Sequence, residues 1–313
     1  MASTTVSITV SITVSTMANI TESIMANMEK NHNQNSSQIW KIATVACVVL
    51  AVIALGVFGV QKMQQAQRED SLAELAAQNT IPVESRAPES IEASQELSAP
   101  EEPATEEQPD ILEEKGVPIP EKEVDFEKLQ AETNKDIYAW IYIPDSMIDY
   151  PVLQHPTNNT YYLEYNLNGS KGYPGCIYTE NYNKKDFTDP VTVMYGHNMK
   201  SGAMFAGLHK FEDAKYFEEH PYVYVYTPEK LLVYQIFAAA VYSDKHILLN
   251  YDFTSSKAFN GFLTEVTSAR GMSNNYNEDV EIAADDHVLV MSTCIAKQPN
   301  NRYIVLGVLL NED

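Results

Sequence analysis

Leu289-Val290-Met291-Ser292-Thr293-Cys294 reads as a buried strand that ends on a small polar pair and then a single thiol. Eight positions on, Arg302 heads a second apolar run, Tyr303-Ile304-Val305-Leu306-Gly307-Val308-Leu309-Leu310. Two adjacent apolar runs joined by a short polar link predict a pair of buried strands. A thiol closes the first and a fixed cation opens the second.

Upstream, the same kind of pattern repeats. Ile137-Tyr138-Ala139-Trp140-Ile141-Tyr142-Ile143 meets a Pro144-Asp145 turn and continues into Ile148-Asp149-Tyr150-Pro151-Val152-Leu153. Gly175-Cys176-Ile177-Tyr178, Val191-Thr192-Val193-Met194-Tyr195, Tyr222-Val223-Tyr224-Val225-Tyr226 and the run from Leu231 to Tyr242 complete about eight strands with His287–Thr293 and Arg302–Leu310. Cys176, inside its strand beside Ile177, is expected to be a packed core thiol. A short amphipathic helix is expected over Asp125–Thr133. Two more helical patterns fall over Ala203–His220 and Ser255–Arg270, the latter with Phe259, Phe262, Leu263 and Val266 on one face. Many strands without βαβ alternation predict an all-β barrel or sandwich decorated by helices.

The rest of the 313 residues is organised differently. Residues 1–41 are polar and repetitive, and are expected to form a cytoplasmic tail; Met17, Met25 and Met28 are each a possible start. Residues 42–60 carry no charge and lie between Lys41 and Lys62. As a helix such a segment spans roughly 28 Å, close to a hydrocarbon core of about 30 Å, so a single transmembrane helix is expected. Lysines on both sides leave its orientation open on the positive-inside rule. Residues 61–115 are rich in Ala, Glu, Gln, Ser and Pro, and Arg86 is the lone base between Glu69 and Glu114. Such a composition buries too little apolar surface to offset its ordering entropy, which predicts an acidic disordered linker, with Gln61–Gln78 able to continue the helix. About 50 residues of this kind span roughly 40 Å root-mean-square. The folded domain is expected over 116–313.

Composition removes several functions. With 43 acidic against 21 basic residues the net charge is −22, which repels nucleic-acid phosphates. No HExxH, CxxC, P-loop or GxSxG occurs, so no metal, cofactor, nucleotide or serine-hydrolase site is expected. Three cysteines, Cys47, Cys176 and Cys294, are too few for a disulfide framework.

Chemistry concentrates at strand ends. Val191–Tyr195 stops at Gly196-His197-Asn198-Met199, where glycine lets the backbone turn and the next residue is an imidazole. Of the other six histidines, His32 lies in the tail, His155, His209, His220 and His246 show no partner pattern, and His287 follows Asp285-Asp286. A thiol nucleophile needs a base or cation nearby to gain thiolate character, and positive charge where an oxyanion forms. His197, Cys294 and Arg302 supply those three parts. From the residues alone, a cysteine transpeptidase, a hydrolysing cysteine peptidase and a non-catalytic, membrane-tethered binding domain all remain open.

Tyr195-Gly196-His197-Asn198-Met199, Ser292-Thr293-Cys294 and Arg302 resemble the motifs of the sortase family, and class B most closely. Asp136–Pro144, Asn159-Thr160-Tyr161-Tyr162-Leu163 and the helical insertion Ser255–Arg270 are similar too, so that the resemblance covers about residues 122–311. It implies an eight-stranded sortase-type β-barrel with an N-terminal helix, carried outside the cell by the membrane helix. It further implies a cysteine transpeptidase that cleaves a C-terminal sorting motif of secreted proteins after Thr. The acyl group would pass to an amine of a peptidoglycan precursor or to a pilin lysine. On this likeness Cys294 is the nucleophile, His197 the acid and base, and Arg302 the oxyanion partner. Ser292, Thr293, Asn159 and Leu163 are the expected substrate-binding residues.

Overall fold

The computed structural model describes residues 22–23, 36–78 and 111–311. The tail up to residue 35, apart from 22–23, and the centre of the acidic linker, 79–110, lie outside the described residues.

Helix α1 runs Ser36–Gln78 and contains one segment long and apolar enough to cross a membrane, with a mean hydropathy of 2.7. Val45, Val52, Leu55 and Phe58 are all more than half exposed. A helix apolar all round finds no aqueous face and suits lipid. The helix outlasts the apolar stretch by several turns, and Leu72 and Ala76 near its end are buried.

The second unit is a closed barrel. Its strands are β1 (Ile137–Tyr142), β2 (Asp149–Leu153), β3 (Ile177–Thr179), β4 (Val191–Tyr195), β5 (Tyr222–Tyr226), β6 (Leu231–Ser243), β7 (Asn275–Tyr276), β8 (Val288–Ile295) and β9 (Gln298–Leu309). They follow the order β5-β1-β2-β3-β4-β8-β9-β6, and β6 pairs back onto β5 to close eight strands; β7 adds two residues beside β6. Closure removes the free sheet edges that would otherwise invite aggregation. Two neighbour pairs, β2–β3 and β4–β8, are parallel.

The apolar runs are explained by burial on both faces. Along β8, Leu289 and Met291 join an interior cluster with Ile141, Val152, Ile177, Met194, Val225 and Val305. Val288 and Val290 face the other way, into a cluster with Phe259, Phe262 and Val266. Successive strand residues point to opposite faces, so a strand covered on both sides reads as unbroken hydrophobicity. The cover on the outer face is a helix over Ser256–Ser268. At the far side a short helix, Phe126–Glu132, capped by Asp125, lays Phe126 and Leu129 against Ile137, Trp140 and Tyr224. Lys122 fixes this approach through Asp149 at 2.6 Å, whose carboxylate also accepts from Trp140 Nε1 at 2.5 Å.

Several boundaries differ from the sequence expectation. A short helix over Ile111–Glu114, with Leu112 buried, precedes the expected domain start at 116. Ala203–His220 is not one helix: a 3₁₀ helix over Phe205–Glu212 stops at Asp213, which caps a separate helix, Ala214–Glu219, by accepting from Tyr216 N–H. An Asx cap gives the backbone a local alternative to continuing the first helix. The last strand begins at Gln298, so Arg302 sits within it and not at its head.

Candidate active site

β4 and β8 bring the histidine and the cysteine together. They run parallel, with Val191 opposite Val288 and Tyr195 opposite Ser292. His197 and Cys294 each lie two residues past that last pair, so the register carries both to the same end of the barrel. Two further bonds tie the strand ends. Gly196 N–H donates to Ser292 O at 3.2 Å, and the Thr293 hydroxyl donates to Gly196 O at 2.8 Å. Gly196 is required by space: a Cβ there would meet Ile177 Cδ1 at 2.4 Å and the buried Phe205 ring at 2.7 Å.

Across the other edge, β9 places Arg302 directly opposite Cys294 in the antiparallel ladder. The hairpin between them closes over Ala296-Lys297, with Lys297 at φ 64°, and the register shifts between Cys294 and Ile295. Arg302 Nη1 donates to Pro299 O and Asn301 O, both at 2.9 Å, which folds the guanidinium stem back over its own hairpin. Cys294 is exposed and in no disulfide, whereas Cys176 is buried, as its sequence context predicts, and burial pushes its thiol up. Of the two, only Cys294 is accessible as a nucleophile.

The imidazole is oriented by the loop after β2. His197 Nε2–H donates to Leu163 O at 2.8 Å. That bond fixes the proton on Nε2 and leaves Nδ1 as the nitrogen free to exchange one. Tyr173 packs its ring edge-on to His197 at 4.9 Å. Gly175, at φ 70°, lets this loop pass close: a Cβ would lie 2.9 Å from Tyr162 O and 3.3 Å from His197 Cδ2.

The expected substrate-binding residues divide. Leu163 is 39% exposed beside His197 and presents an apolar surface. The Asn159 carboxamide oxygen accepts from Asn181 N–H at 2.8 Å and so braces the loop against the segment after β3. Ser292 and Thr293 are buried. Through its hydroxyl, which donates to Gly196 O, Thr293 also braces the histidine turn.

Three groups that carried no partner signal in the sequence have one in space. Asn198 Nδ2 donates to Cys294 O at 2.8 Å and lies 2.9 Å from His209 Nε2; His209 Nδ1 is 2.5 Å from Glu212 Oε1. The third is His246, whose Nε2 sits 2.6 Å from Glu180 Oε2 in the wall beside Tyr182 and Tyr195. Burial pushes the Glu180 carboxyl above its ordinary 4.5, and the adjacent His246 opposes without cancelling it. Burial also raises Tyr178 and Tyr195, with the Glu180 charge adding to both and the Cys294 sulfur adding to Tyr178. Among the described residues no group of three or more His, Cys, Asp or Glu side chains could hold a metal ion.

Known proteins carry the same domain. Residues 141–310 match the model of the sortase domain. Sortase B of Listeria monocytogenes serovar 1/2a is 30% identical over 193 residues, which is 60% of this chain and 74% of that protein. The solved sortase B of B. anthracis, in complex with AAEK1, superposes with a TM-score of 0.53 at 28% identity, covering 60% of this chain and 84% of that one. Clostridium perfringens sortase B gives 0.54 at 26% identity, over 60% of this chain and all of the other. With the thiol, the imidazole and the guanidinium gathered at one barrel end, and the domain matched over most of the folded part, the chain belongs to the sortase family, whose members are cysteine transpeptidases.

Proposed function

We propose that this protein is a class B-like sortase that uses Cys294 as nucleophile, His197 as acid and base, and Arg302 as the charged partner of substrate and oxyanion. The observation that carries this is the register: a parallel β4–β8 pair and an antiparallel β8–β9 pair, whose shared strand ends on the thiol.

The reaction follows from the three groups. The Cys294 thiol passes its proton to His197, the sulfur attacks the Thr carbonyl of a sorting motif, and the developing negative charge falls beside the Arg302 guanidinium. The C–N bond then breaks as His197 delivers its proton to the departing amine, leaving a thioacyl enzyme. An incoming amine loses a proton to His197, attacks the thioester carbon and returns the thiol. The acceptor amine belongs to a peptidoglycan precursor or to a pilin lysine. Leu163, Asn159, Ser292 and Thr293 line the motif pocket.

Residues 42–60 anchor the chain as a single pass, with 1–41 cytoplasmic, 61–115 as spacer and 116–313 as the catalytic domain at the outer membrane face. The apolar α1 and the family membership support that placement. The experiment is a cleavage profile of the full chain over a peptide library varying each motif position, with and without an amine acceptor. A transpeptidase gives an amine-linked product and Cys294→Ala gives none. Cleavage without any amine product would leave a hydrolase, and cleavage by Cys294→Ala would overturn the assignment.

A further inference from the structure

The parallel ladder between β4 and β8 ends one rung too early. Gly196 N–H donates to Ser292 O, and along a strand alternate carbonyls point to the same side, so Cys294 O also faces the β4 side. No backbone N–H of β4 reaches it, because the chain turns away at Gly196. On the β9 side the register shift after Cys294 weakens the strand end further. A nucleophile on the last secure residue of a strand would fray with it.

A side chain takes the missing rung. Asn198 Nδ2 donates to Cys294 O at 2.8 Å, and His209 Nε2 lies 2.9 Å from the same amide and 3.1 Å from the same carbonyl. Glu212 Oε1, 2.5 Å from His209 Nδ1, orients the ring. The Cys294 carbonyl can only accept, and with two lone pairs it takes the Asn198 amide N–H at 2.8 Å and the His209 Nε2–H at 3.1 Å. The ring is held flat by Tyr303, stacked at 5.2 Å and 22°, and the Tyr303 hydroxyl donates to Ser273 O. Tyr303 is itself the cross-strand partner of Thr293, so the support returns to the strand it steadies.

We propose that Asn198 and His209 are positioning residues for the nucleophile: through the Cys294 carbonyl they hold the thiol in line with His197. This deepens the sortase reading and rests on it for the reaction, though not for the geometry. Neither residue touches a reacting atom, so both act on the rate of acylation more than on peptide binding.

The test uses the full chain and four variants: Asn198→Ala, His209→Ala, their combination, and His209→Gln, which keeps a side-chain N–H donor for Cys294 O. A misplaced nucleophile costs up to about 100-fold, so each alanine variant is expected to lose about 10- to 100-fold in kcat while KM moves less than about threefold. The double variant is expected to match the worse single one, because the two residues form one rung. His209→Gln is expected to recover most of the loss. Iodoacetamide labelling of Cys294, followed by mass spectrometry, needs no peptide. Its rate is expected to fall at least about threefold in both alanine variants and to return in His209→Gln, since thiolate character depends on the neighbouring imidazole. Labelling rates equal to the parent in Asn198→Ala and His209→Ala would overturn the inference, as would a glutamine variant no better than alanine. A labelling effect without turnover of any motif peptide would count against the sortase reading and leave this one standing.

Discussion

Two histidine–carboxylate pairs flank the β4–β8 edge, and they are built differently. His209 and Glu212 are three residues apart on one 3₁₀ turn, half-exposed and joined to the backbone of the nucleophile. His246 and Glu180 are far apart in sequence, and the carboxylate is buried in the wall with Tyr195 and Tyr178 nearby. The first pair is close to solvent on both sides, so its worth lies in orientation and little in Coulomb energy. The second carries a desolvation cost that its partner does not erase. The difference teaches that a carboxylate beside a histidine says nothing of its role until the burial and the next contact are known.

The same contrast separates the thiol edge from the wall, and substitutions at graded distance from the thiol sharpen it. His197→Ala removes the proton carrier and should cost about 10²–10⁴-fold in kcat, measured by release of the amine product, with the fold intact by circular dichroism. Retention of more than a tenth of the activity would move the acid–base role elsewhere. Arg302→Ala should cost about 10²–10³-fold, and Arg302→Lys should recover only part of it, because an ammonium keeps the charge without the planar fork. Full recovery by lysine would reduce Arg302 to a point charge.

Gly196→Ala tests the turn between strand and histidine. Its new methyl meets the buried Phe205 ring, so a loss of about 1–3 kcal/mol in unfolding free energy is expected by urea denaturation, with activity falling as well. An unchanged urea midpoint would show that the turn gives way freely.

The smallest effect belongs to the wall. The folded state holds the Glu180 proton to higher pH than the unfolded chain does, because burial raises this carboxyl above 4.5. Its contribution to stability is therefore fully present below its unfolded value and lost as pH rises through the folded one. Glu180→Gln has no such loss, so its thermal midpoint should gain on the parent's as pH rises above the ordinary carboxyl value of 4.5. A gap that stays constant, or moves the other way, would mean that the His246 partnership outweighs burial.

Much of the barrel was legible because hydrophobic pattern dictated it. Val191–Tyr195 and Tyr222–Tyr226 fold as strands over the bounds their composition suggests, with proline or glycine at their margins. Cys294, His197 and Arg302 were legible as chemistry in a short linear order. The polar start of β9, Gln298–Asn301, was not, since it is held by backbone pairing, Gln298 to Ile295 and Asn301 to Ser243 of β6, and has no apolar face to announce it. β7, two half-buried residues, carries no period at all. The Ala203–His220 reading failed at Asp213, where a side-chain cap outcompeted an otherwise helical spacing. Asn198 and His209 had no signal for their role either, because Cys294 O reaches them only through the fold. His246 had no local signal, because its partner arrives through the fold.

Intact-mass analysis of the full chain, mixed with a motif-varied peptide library in the absence of amine, tests the assignment of the thiol most directly. The account predicts that one peptide class adds an acyl fragment to Cys294, located by proteolytic mapping, and that added amine discharges it as a new amide. Cys294→Ala should show neither step. An acyl group mapped to another residue, or the same amide formed by Cys294→Ala, would contradict it.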